Sequence, residues 1–86
     1  MKGSGSPVSR ASELRSYIPE LSKAEGVSRA HLLDLIQVAR GKDLDMIVGY
    51  LRSAAAANIK VWDRAVLIHR CVQKAEIFSI MKDLFL

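Results

Sequence analysis

Apolar positions in this chain recur at three- and four-residue intervals and show no strand-like alternation, and the longest such stretch is the last. Residues 60–86, KVWDRAVLIHRCVQKAEIFSIMKDLFL, contain no Gly or Pro and predict one long helix. Wound at about 100° per residue, Val61, Ala65, Ile68, Val72 and Ala75 form one stripe, the spacing of a core-facing side. Beyond Glu76 the apolar positions are Ile77, Ile80, Met81 and Leu84, on nearly the opposite side of the cylinder, and Phe78 and Phe85 widen that patch. One straight helix cannot press both stripes into the same small core. Either the chain bends near Ala75 and Glu76, or the last segment packs on a second body.

Upstream, the same periodicity predicts shorter helices. Ser9 caps a segment whose apolar positions are Ala11, Leu14 and Ile18. Pro19, well suited to a first helical turn, opens a second short piece that Gly26 ends. Ser28 caps the next helix, with Leu32, Leu35, Ile36 and Ala39 on one face and Gly41 beyond its end. Asp43 caps another, in which Leu44, Ile47, Val48, Leu51, Ala54 and Ala55 keep the inward spacing until Asn58 closes it. Links of two or three residues force neighbouring helices to lie side by side. The expected architecture is all-α, a compact bundle of four to five short helices with a long C-terminal helix that bends if it is to stay within its own core. Residues 1–8 read as a flexible Gly/Ser leader or non-native remnant, and residues 9–86 as a single helical domain.

Composition narrows the classes. A chain of 86 residues that is 50% hydrophobic but only 6% aromatic has a thin core of Leu, Ile, Val and Ala, which suits helices. The net charge of +4 admits acidic partners, including nucleic acid, without singling them out. The lone Cys71 has no internal disulfide partner, which points to a reducing, cytoplasmic setting, and no apolar run reaches the ~18 residues of a membrane span.

The most specific local string is LSKAEGVSRAHLLDLI, residues 21–36. Gly26 at a turn, Val27 beneath it, Ser28 as a cap, and Leu21, Leu32 and Leu35 as a buried triangle resemble the helix-turn-helix motif of DNA-binding regulators. The resemblance implies that residues 28–40 form a reading helix on which Ser28, Arg29, Ala30, Leu33, Asp34 and Gln37 face the groove. Arg29 and Gln37 have the donors for base edges or phosphates, whereas Leu33, Asp34 and the acidic Glu25 depart from the pattern. Arg64, Arg70 and Lys74, with Lys60, form a basic stripe along the long helix that phosphates could also use. Solvated charge explains the same stripe.

Enzyme chemistry finds no footing. His69 and Cys71 are two apart on a helix and diverge by about 160°, Cys71 sits in the apolar string VLIHRCV as a small buried hydrophobe, and Asp43 and Asp45 are accounted for by a helix start. No metal, cofactor or small-molecule ligand is implied. Tyr50 and Trp62 are expected in the core or an interface. The primary expectation is a protein-interaction module, most simply a homodimer, whose partner surface is Trp62, Ile77, Phe78, Ile80, Met81, Leu84 and Phe85. A DNA-binding regulator is the alternative.

Overall fold

The computed structural model describes residues 7–85, with side chains from Arg10 onward; residues 1–6 of the leader expected over 1–8, and Leu86, lie outside them, whereas residues 7 and 8 lie in the first helix. Four α-helices and two 3₁₀ turns follow in order, α1 (Pro7–Ser16), a 3₁₀ turn (Pro19–Lys23), α2 (Arg29–Val38), α3 (Lys42–Leu51), a second 3₁₀ turn (Ala54–Ala56) and α4 (Val61–Phe85). There is no strand among the described residues. The all-α bundle with a long last helix is therefore the fold. Its extents of 40 × 36 × 18 Å make it a slab rather than a sphere.

Local chemistry sets the element ends. α1 starts at Pro7, so Ser9 lies inside its first turn rather than before it. Ile18 and Leu21 are carried into the core by the chain reversal at Tyr17 and the proline-led 3₁₀ turn. Gly26, at φ +68°, makes the turn that an L-residue resists, and the Ser28 hydroxyl accepts from the His31 N–H at 3.2 Å to cap α2. Gly41, at φ +52°, precedes α3, and Asp43 reaches back to accept from the Arg40 N–H at 3.3 Å.

Two expectations are corrected. The helix through Leu44 and Leu51 does not run on into the alanine stretch, and Asn58 does not close it. Arg52 ends α3, and residues 52–60 form a longer link than the expected two or three residues. The Tyr50 hydroxyl explains the break: it accepts from the Val27 N–H at 3.0 Å and donates to the Ala55 carbonyl at 3.1 Å, while Asn58 donates to the Val27 carbonyl at 3.0 Å. These bonds turn the chain across the end of α3, and backbone groups satisfied in this way outweigh the weak helix preference of a short alanine run.

The second correction concerns α4. It is a single helix of 25 residues without a break at Ala75 or Glu76, and of the expected stripe only Ile68 packs against the core. Val61 is 73% and Val72 48% exposed, and Ala65 and Ala75 also face out. The side that packs is instead Leu67 and Cys71, both 1% exposed, with Ile68 and Phe78 partly buried against the same cluster. They close a core of Ile18, Leu32, Leu35, Leu44, Ile47 and Leu51. Burial of each such side chain contributes about 1.5–3 kcal/mol.

Candidate protein interface

α3 covers one flank of α4 and α2 the other. The α2 flank is joined through Lys74, whose Nζ donates to the Ile36 carbonyl at 2.7 Å and the Gln37 carbonyl at 2.5 Å. Both carbonyls belong to the last turn of α2, where the helix dipole is negative, so the ammonium serves as its cap. It also stands 5.7 Å from the centre of the Phe78 ring. Burial, followed by the nearby Arg40 charge, lowers the Lys74 pKa from its ordinary value. Burial pushes the Cys71 thiol up to about 11 against the opposing pull of Lys74. Cys71 is thus a protonated, buried thiol, as expected of a small hydrophobe.

Past this junction the helix leaves its supports. Ile77 is 54% exposed, Ile80 60%, Met81 45%, Leu84 74% and Phe85 80%. Of the expected partner surface, Ile77, Ile80, Met81 and Leu84 are brought onto one open face, with Phe85 at its edge. Phe78 is turned partly inward against the core. Trp62 lies at the other end of α4 and is 79% exposed, so it contributes nothing to the core.

The open face extends further back than the tail. Positions 66, 70, 73, 77, 80 and 84 alternate steps of four and three, the spacing of a coiled-coil seam, and carry Val66, Arg70, Gln73, Ile77, Ile80 and Leu84. Val66 is 40% exposed. Alongside the middle of this seam, α2 and α4 enclose an open groove of about 590 Å³ with Leu33, Ile36 and Ile77 as its apolar lining and Arg70 and Gln73 on its α4 wall. Val66, Gln73 and Leu33 are the members that tail-only reasoning misses. Counting the three-four steps backward from Ile77 finds the first two, but only the α2 packing finds Leu33.

The residues expected to meet nucleic acid are divided. Gly26, Ser28 and the buried Leu21, Leu32 and Leu35 take the expected places around the turn. Arg29 and Gln37 are exposed, as is Arg70, but Arg70 and Gln37 line the α2–α4 groove rather than the start of α2. Lys74 is engaged with the end of α2, and Arg64 is partly buried, its Nε without a hydrogen-bond partner among the described residues. The basic stripe is therefore split between two faces. The element before the turn is a five-residue 3₁₀ turn rather than an α-helix.

No group of three or more His, Cys, Asp or Glu among the described residues is placed to hold a metal ion. His31 packs edge-on against Tyr17, with ring centres 6.2 Å apart, and His69 is exposed while Cys71 is buried. No helix among the described residues is long and apolar enough to cross a membrane. The chain has no match among protein-family models, curated proteins or solved structures.

Proposed function

We propose that this chain is a helical protein-interaction module that associates with a second copy of itself through the open face of α4. The observation that carries the reading is the exposure of Ile77, Ile80 and Leu84, at 54, 60 and 74%, on one side of an otherwise regular helix. Fully covering a side chain of this kind stabilises by about 1.5–3 kcal/mol, and a contiguous apolar patch marks an interaction site more often than scattered exposed leucines do. A cyclic dimer doubles each contact, and the doubled burial opposes the roughly 4–15 kcal/mol that association costs. Sedimentation equilibrium on the whole chain tests this. A monomer–dimer equilibrium is expected, and Ile80→Asp with Leu84→Asp should abolish it while the helical circular dichroism persists. A strictly monomeric wild type at several hundred micromolar would end the reading.

One observation favours a second reading, DNA binding. The Ser28-capped start of α2 leaves Arg29 exposed beside a glycine turn. Binding of labelled duplex DNA at low salt, weakened by Arg29→Ala, is its expected outcome, and no binding at low salt removes it.

A further inference from the structure

We infer that the two copies pair antiparallel, so that Leu84 of each lies over the α2–α4 groove of the other. This deepens the self-association reading and rests on it. In the series 66, 70, 73, 77, 80, 84 the seam is apolar at Ile77, Ile80 and Leu84 and polar at Arg70 and Gln73. A twofold axis crossing α4 midway between Ile77 and Ile80 sets each of these against the other in the second copy. The same axis brings Leu84 opposite Gln73, each about 8 Å along the helix from the axis. Gln73 stands on the α4 wall of the groove, between Arg70 and Ile77. The groove's apolar Leu33, Ile36 and Ile77 are therefore at the height where the second copy delivers Leu84, 74% exposed.

A parallel pair wastes both features. It stacks Arg70 on Arg70 and Gln73 on Gln73, leaves the two grooves empty, and places both bodies at the same end. There α2 flanks α4 alongside Arg70 and Lys74 and holds the two helices apart. Contact then shrinks to residues 77–85, about 13 Å of helix. The antiparallel pair sets the bodies at opposite ends and uses the seam from Gln73 to Leu84 on both copies.

Antiparallel pairing also brings like flanks together. Glu76 lies beside Asp83 of the second copy, both exposed, and their repulsion is weak in solvent. In a parallel pair Glu76 meets Met81 instead. Glu76→Lys thus creates two opposite-charge contacts in one orientation only, and a gain in affinity is an effect that misfolding does not mimic.

Sedimentation equilibrium of the full chain at low salt should show Glu76→Lys dimerising about five- to thirtyfold more tightly than wild type, and Glu76→Lys with Asp83→Lys losing that gain. A spin label at His69→Cys, with buried Cys71 left unlabelled at neutral pH, should report a separation of about 28 Å or more in the dimer. A dimer whose labels stand closer than about 20 Å, or whose affinity ignores Glu76→Lys, overturns the antiparallel arrangement while leaving self-association intact. A wild type that stays monomeric overturns the self-association reading instead.

Discussion

Replacing Lys74 by Met asks which of two opposed effects governs the junction between α2 and α4. The ammonium donates to the Ile36 and Gln37 carbonyls at 2.7 and 2.5 Å, and charge-assisted bonds of this kind contribute about 1.5–3 kcal/mol when shielded. Against this stands the cost of taking the charge partly out of water, visible in its lowered pKa. The junction is open on its groove side, so desolvation is incomplete, and water can also replace part of the capping in the variant. Capping wins by a reduced margin, and the net loss is about 1–2 kcal/mol. Met preserves the aliphatic stem beside Phe78, so the loss belongs to the ammonium. Urea denaturation of wild type, Lys74→Met and Lys74→Arg, under conditions where all are monomeric, measures it. At a slope of about 1 kcal/mol per molar urea for a domain of this size, the expected drop in the urea midpoint is about 1–2 M, with Arg recovering part of it. A Met variant as stable as wild type, or more so, would show instead that burial of the charge outweighs the cap.

Three further outcomes are expected. Gly26→Ala should destabilise the monomer by about 1–2 kcal/mol through its φ of +68° alone, since nothing lies within 4 Å of a Cβ there, whereas Gly49→Ala inside α3 is equally uncrowded and should stabilise by about 0.5–1 kcal/mol in the same urea assay. The Cys71 thiol, raised from 9.0 to about 11 in the fold, favours the folded state fully below pH 9 and loses that contribution as pH rises through 11; Lys74, lowered from 10.5, acts in the opposite sense below that value. Unfolding midpoints between pH 8 and 11 should therefore fall more steeply in wild type than in Cys71→Ala, and equal slopes would show that the thiol does not couple to folding.

Much of this architecture is legible from residue spacing. The helices, the glycine turn, the Ser28 cap and the exposed tail of α4 each depend on contacts within a few residues, where periodicity and capping chemistry act. The buried side of α4 is not legible in that way. Its members Arg64, Leu67, Cys71, Lys74 and Phe78 include two cations, and a hydrophobic stripe drawn from the sequence passes them over for Val61 and Val72. Lys74 qualifies for that side only because the end of α2, far away in sequence, offers carbonyls to its ammonium. The break after α3 is hidden for the same reason, because the Tyr50 hydroxyl finds its partners at Val27 and Ala55. Of the candidate interface, the tail follows from local spacing, and the groove beside it follows from where α2 comes to rest.

The Tyr50 hydroxyl, with the bonds from Asn58 to Val27 and from Gly26 to the Ala55 carbonyl at 3.0 Å, ties the loop before α2 to the loop before α4. The second loop has 3₁₀ bonds of its own, from the Ala56 and Ala57 N–H groups to the Ser53 and Ala54 carbonyls, and the cross-links set its place against the first. Opening either loop breaks bonds that hold the other, which makes α3 less a bystander than the spacer whose length brings these distant parts of the chain together.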